Sequence, residues 1–433
     1  MRLRKRTAGR LGWAFADQAI SSLSNLLVGV LVARAVSAEA FGAFAIVLTA
    51  YWLALGASRS LASEPFLVRV STTPDSKARA SLRAAGGTAV VVGLVTGAVC
   101  AAAALAVGGP LRYPLLAVGV TMPGLLLQDF FRYSFFARGR GQFAFAADLL
   151  WAVLLFSALA GLLWAGKQSV GLFVLIWGLT ASVAALFSAA KTRIAPNPLL
   201  APDWLREHRD LAPRFLGEFS AMNGAGQLSL YLIGAIAGLA SVGALRGGQI
   251  LLGPLNVLFL GIWLFAVAEG VRLLEASPAR LRHAARLLSF GLCSAALAWA
   301  SLVTLLPTSL GTLLLGDSWA GAHEVVFVVG LAMAGTGAAT GAVAGLRSLA
   351  AAQRSLRVRL TITPLTVLGA VVGAAVAGAL GGAAGIAAAA WLGVVLWWVE
   401  FRRALDERDI SVRLEAEPVV TRELPLPSRT FQA

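Results

Sequence analysis

The run AAGGTAVVVGLVTGAVCAAAALAV, residues 84–107, holds 24 residues without one charged side chain. As a helix it would extend about 36 Å, more than the roughly 30 Å hydrocarbon core of a bilayer. Working outward from it, comparable apolar runs recur on both sides. They lie near Leu11–Ala33, Phe41–Ser58, Leu115–Phe136, Phe143–Trp164, Val170–Ala190, Phe219–Ala240, Ile250–Ala268, Leu288–Leu306, Glu324–Leu346, Thr361–Leu380 and Ala383–Val399. Gly253–Pro254 interrupts the eighth run of the chain, and Gly381–Gly382 is the punctuation between the last two. The expectation is an all-α polytopic membrane protein of about 12 transmembrane helices, in two six-helix bundles around a central cavity. Composition agrees: 58% of the 433 residues are hydrophobic, 13% are charged and mean hydropathy is +0.79. Globular domains carry about 25% charged residues, so a soluble enzyme, a disordered chain and a disulfide scaffold are excluded.

A formal charge of +15 would suggest nucleic acid in a soluble protein. Here the position of each basic residue gives it another meaning. With the runs threaded alternately, 32 of the 36 Lys and Arg residues fall on the side of the N-terminus. Only Arg34, Arg112, Lys167 and Arg246 fall on the other. Basic connections stay cytoplasmic during insertion, so both termini are expected inside a cytoplasmic membrane. The surplus then reports orientation, and nucleic acid is not an expected partner. The basic start and Ala33-Arg34-Ala35 imitate a signal peptide. The stretch is longer than a signal core and carries Asp17, Gln18 and Asn25, which points to an uncleaved first span.

Six runs on each side of the hydrophilic segment 191–218 divide the chain. The expected units are a bundle over 1–190, a linker over 191–218, a second bundle over 219–400 and a tail over 401–433. In the linker, Trp204, Leu205, His208, Leu211 and Phe215 recur at helical spacing. An interfacial amphipathic helix fits that pattern, and so does a solvated linker broken by prolines. The tail, with Pro418, Pro425 and Pro427, has the composition of a disordered segment. Asn25-Leu-Leu-Val-Gly29 and Leu230-Tyr-Leu-Ile-Gly234 are weakly alike, as in parallel transporter repeats with substrate between the halves.

Ionisable groups at membrane depth cost several kcal/mol and mark candidate sites. Asp17, Ser21 and Ser24 share one face of the first run, with Asn25 at its edge; Ser220, Asn223, Gln227 and Tyr231 share one face of the seventh. Two readings are open for these faces: lining of a common cavity, or hydrogen bonding between helices. Asp129 and Arg132 stand three apart and can pair with each other, and Asp148 can reach Arg138 or Arg140. Arg59 ends the second run beside Ser58 and Ser60, where a fixed guanidinium suits phosphate oxygens. Nothing in the sequence calls for a cofactor or a metal. There is no phosphate-binding glycine loop, no HExxH and no zinc spacing, and Cys100 and Cys293 fall inside predicted spans. The chain is therefore not expected to be an enzyme.

The residues Leu11-Gly-Trp13, Asp17-Gln18 and Ser24-Asn25 lead into Ala33-Arg34-Ala-Val-Ser37-Ala-Glu39-Ala-Phe41-Gly42 and Arg59-Ser-Leu-Ala-Ser-Glu64-Pro65. This segment resembles the polysaccharide-transporter family, the lipid-linked oligosaccharide (O-antigen, Wzx-type) flippases of the multidrug/oligosaccharidyl-lipid/polysaccharide exporter superfamily. The Ala-Arg-x-x-Ser-x-Glu-x-Phe-Gly stretch is its most specific part. The resemblance implies a V-shaped pair of bundles that carries a polyprenyl-pyrophosphate-linked glycan outward by alternating access. It further implies basic cavity residues for the pyrophosphate, and Arg34 alone lies in the matched motif. Arg59 and Arg132 join Arg34 on charge and depth; Asp17, Asn25, Asp129, Asn223 and Gln227 are the candidate polar lining. The expected partners are the lipid-linked saccharide, membrane lipids and envelope polysaccharide assembly proteins. Competing readings are a multidrug or other small-molecule exporter, a non-transporting scaffold, and a membrane glycan polymerase or ligase. The last is disfavoured by the short outer connections.

Overall fold

Short turns, many built on glycine or proline, separate long helices along the described residues. The structure, a computed structural model, describes residues 2–70, 75–349 and 351–416. The first half comprises α1 (Arg2–Ala35), α2 (Ala38–Ser58), a π-helical turn (Arg59–Ser63), α3 (Glu64–Val70), α4 (Asp75–Val107), α5 (Arg112–Ala137), α6 (Gly141–Trp164) and α7 (Val170–Thr192). A short α8 (Ala201–Glu207) lies in the connection to the second half. There follow α9 (Ala212–Ala237), α10 (Leu239–Leu251), α11 (Gly253–Ala276), α12 (Pro278–Thr304), α13 (Thr308–Leu315), α14 (Trp319–Ser348) and α15 (Ala352–Ala416). No strand occurs among the described residues.

Among the described residues, nine helical stretches are long and apolar enough to cross a membrane. The last of them, Gln353–Arg408, is folded back on itself at Ala377 and Gly378 and so supplies two crossings. With that second arm, α9 and the bent α10–α11 pair, the twelve runs of the sequence are all present as helix. Two boundaries differ from expectation. The reversal in α15 sits at Gly378, whose φ of 58° favours glycine, and not at Gly381–Gly382. Gly381 instead faces the Gly373 backbone and Gly385 faces Gly369, so that missing side chains let the two arms touch. The eighth run starts eleven residues before Ile250, at Leu239, and bends where Pro254 opens α11.

Lipid exposure is visible in α4, where Leu94, Val95, Val99 and Leu105 are each more than half exposed. The largest buried cluster draws on α1, α2 and α4–α7, including Phe41, Phe44, Met122, Phe173 and Trp177, and takes in Ile250, Leu315, Trp319 and Ala322 from the second half. Near its basic end, Phe66, Phe130, Phe131 and Phe135 form a second cluster, which Trp204 and Ile194 of the connection complete. The segment 191–218 is thus partly docked on the first half. Its regular helix is shorter than the spacing suggested, because α8 stops at Glu207 and Pro213 begins a new helix. The expected tail begins as helix: α15 continues to Ala416 with Phe401, Ala404 and Leu405 buried. Residues 417–433 lie outside the described residues.

The halves meet chiefly through α2 and α10. Gly42 packs against the Leu239 carbonyl, and Gly243 against the Ala38 carbonyl and the Gly42 backbone. A methyl group on either glycine would collide with backbone atoms. Beside this contact Gly316 lies on the Arg34 backbone, and Ser318 Oγ donates to the Ala33 carbonyl at 3.4 Å. These contacts seal the molecule at its Arg34 end.

Candidate functional site

Proline chemistry shapes the wall on which the site is built. Pro65 has no N–H and cannot bond the carbonyl of Leu61, four residues earlier. The chain answers with the π-helical turn, in which the Glu64 N–H reaches the Arg59 carbonyl five residues back. The stranded Leu61 carbonyl accepts instead from Trp204 Nε1 of α8 at 3.0 Å. Trp204 is buried and its ring stacks on that of His208, 3.8 Å between centroids. This turn sets the direction of Arg59.

Arg59 grips Asp129 of α5 with both arms of its fork, Nε to Oδ2 at 2.9 Å and Nη2 to Oδ1 at 2.7 Å. The Tyr133 ring lies 5.0 Å from the guanidinium carbon. One turn along α5, Arg132 stands between Asp17 of α1 and Asp148 of α6. Its Nε is 2.8 Å from Asp17 Oδ2 and 3.2 Å from Asp148 Oδ2, while Nη2 is 2.6 Å from Asp17 Oδ2 and 3.4 Å from Gln18 Oε1. Gln128 Nε2 donates to Asp148 Oδ1 at 2.6 Å. The cluster ties α1, the π-helical turn, α5 and α6 together with three carboxylates and two guanidinium groups. Its formal surplus is one negative charge. Asp17 Oδ1, buried, has no hydrogen-bond partner.

Several expected pairings are replaced. Asp129 and Arg132 share a face but each bonds across to another element, Asp129 to both arms of the Arg59 fork and Arg132 through two nitrogens to Asp17 Oδ2. Asp148 turns inward to Arg132 and away from Arg138, whose Nη1 bonds the Val70 carbonyl. Arg34 stands apart, exposed in the last turn of α1 at the sealed end. Asn25 lines a small pocket with Ser21, Ser24, Asp148 and Trp151. Asn223 is exposed and Gln227 half-buried on α9. They lie between Phe219, which packs on Gly56 of α2, and Tyr231, which packs on the Ile46–Val242 contact, so this stripe faces α2. The sequence does not single out Gln128 or Tyr133, and it offers Trp204 only as part of an interfacial helix in the linker. Only the i,i+4 spacing of Gln128 and Arg132 signalled the first. Among the described residues no group of three His, Cys, Asp or Glu is placed to hold a metal.

No family model matches the sequence, and no curated protein matches it. Solved structures do match. An inward-facing multidrug resistance MATE family transporter of the MOP superfamily superimposes with TM-score 0.66 at 12% identity, over 92% of this chain and 99% of that one. The lipid II flippase MurJ, in an inward closed conformation, gives 0.69 at 12% identity over 93% and 92%. The chain shares the fold of these two transporters. An outward-facing MATE transporter gives 0.53 at 15% identity over 93% of each chain. In this fold the halves close on each other at the Arg34 end, and the carboxylate–guanidinium cluster lies in the first half.

Proposed function

We propose that this protein carries a polyprenyl-pyrophosphate-linked oligosaccharide across the cytoplasmic membrane by alternating access. The observation that carries the reading is the placement of Arg59 and Arg132 by the π turn and α5 on the basic side of a fold that is sealed at its other end. Arg59 keeps 27% of its side chain exposed while paired, so an incoming pyrophosphate can compete with Asp129 for its fork. Arg34, exposed beyond the seal, meets the head group as it leaves. Headgroup transfer breaks no bond and so needs no catalytic group.

A multidrug exporter is the second reading. The surplus carboxylate of the cluster favours it, because a buried negative charge suits a cationic cargo. In the flippase reading the same surplus takes up a coupling proton or monovalent cation, and the orphaned Asp17 Oδ1 is its acceptor. In cells depleted of the protein, lipid-linked oligosaccharide should accumulate on the cytoplasmic leaflet and be cleared on re-expression. Unchanged lipid-linked intermediates together with increased sensitivity to cationic drugs would select the exporter.

A further inference from the structure

Between the spanning helices α12 and α14 the chain forms α13, eight residues over Thr308–Leu315. Its length of about 12 Å is far short of the roughly 30 Å hydrocarbon core. At about 100° per residue its side chains fall into three sectors. Gly311 and Leu315 make the first and are buried, Gly311 against the Trp319 ring and Leu315 in the cluster with Val32 and Val36 of the first half. Thr308, Ser309 and Thr312 make the second and are exposed. Leu310, Leu313 and Leu314 make the third, yet they are 48%, 54% and 39% exposed. Resting on protein needs one apolar face; this helix has two, and a hydroxyl face besides.

Three observations say what covers the leucines. Leu302 and Leu305, which lead into α13 from α12, are more than half exposed, so the lipid-facing surface runs up to the start of the helix. The helix stands where spanning helices end: α1 stops at Ala35 and α12 at Thr304, and directly after α13 Gly316 lies on the Arg34 backbone while Ser318 Oγ donates to the Ala33 carbonyl. Residues 308–315 carry no charge, which suits acyl chains and neutral ester groups better than a charged partner. The helix is also held in place. His323 Nε2 donates to the Thr304 carbonyl at 2.9 Å, its ring lies 4.9 Å from that of Trp319, and the Pro307 carbonyl accepts from the N–H groups of Leu310 and Gly311.

We propose that α13 is a lipid-binding anchor: it lies flat in the leaflet at the Arg34 end with Leu310, Leu313 and Leu314 among the acyl chains, and through Gly316 and Ser318 it holds the seal closed against α1. Neither part depends on the cargo. The test uses the full-length protein in nanodiscs, with Cys100 and Cys293 replaced by alanine and a fluorophore on Ser309→Cys or Leu313→Cys. Lipid bearing a nitroxide near the head group should quench the label at Leu313 several times more than the label at Ser309, and iodide in the water should reverse the order. Equal quenching by iodide at the two positions overturns the lipid contact. For the seal, Leu310→Ser with Leu314→Ser removes part of the lipid face and leaves Gly311 and Leu315 in place. It should speed maleimide labelling of Ile46→Cys several-fold, and Leu313→Ser alone carries this arm if the pair is not monodisperse. An unchanged rate overturns the link between anchor and seal. Ser309→Ala, on the water face, should leave the rate as it was; a rise equal to that of the leucine variants overturns the lipid account.

Discussion

Arg132 holds Asp17 through two nitrogens, Nε at 2.8 Å and Nη2 at 2.6 Å, and so fastens α1 to α5 inside the first lobe. Asp148 lies against the same guanidinium, and the two sides of this contact are therefore unequal. Arg132→Met leaves two buried carboxylates facing each other and should cost about 3–5 kcal/mol. Asp17→Asn leaves a neutral Arg132–Asp148 pair and should cost less, about 1–2 kcal/mol. Thermal unfolding of the two variants in one detergent checks the order. Equal losses would show that the cluster does not carry the charge surplus described.

Arg59 bonds Asp129 bidentately beneath the Tyr133 ring, and lysine can copy neither the fork nor the flat face. Arg59→Lys should insert normally and lower export about tenfold, read as surface glycan per unit of membrane protein. Export at the parent level would remove Arg59 from the path.

The Trp204 contact makes a prediction about the linker. Trp204→Phe strands the Leu61 carbonyl and should cost about 1–2 kcal/mol. Pro65→Ala restores an N–H within the helix that can take that carbonyl. Added to Trp204→Phe, it should recover much of the loss. A double-mutant cycle on unfolding checks this: strictly additive effects would mean that the proline and the indole do not share Leu61.

Gly42 and Gly243 form the seal by backbone contact, and valine at Gly42 has no room against the Leu239 carbonyl. Gly42→Val should open the Arg34 end. In a background with Cys100 and Cys293 replaced, Ile46→Cys should then react with a membrane-impermeant maleimide several times faster than with Gly42 intact. An unchanged rate would place the seal elsewhere.

The helices were legible because lipid imposes a simple rule: about twenty apolar residues per crossing, with basic residues on one side. The halves were legible for the same reason. Side-chain partners were not. Asp129 and Arg132 look like a pair along α5, yet Arg59 and Asp17 reach them from helices 70 and 115 residues away in sequence. Spacing along one helix says nothing of what a neighbouring helix brings. The reversal at Gly378 was hidden in a run where several glycines serve packing and only one serves the turn. Arg246 was counted as a topological exception, and only the three-dimensional placement of its neighbours showed a guanidinium without a carboxylate.

The central claim is tested most directly with purified protein in liposomes carrying a fluorescent polyprenyl-pyrophosphate oligosaccharide, by following its accessibility to a membrane-impermeant glycosidase. Transport predicts that label protected in the inner leaflet becomes cleavable in the presence of the parent protein. It predicts a slower change with Arg59→Lys. Label that stays protected at the rate of protein-free liposomes, while a cationic dye is moved by the same preparation, would contradict the account.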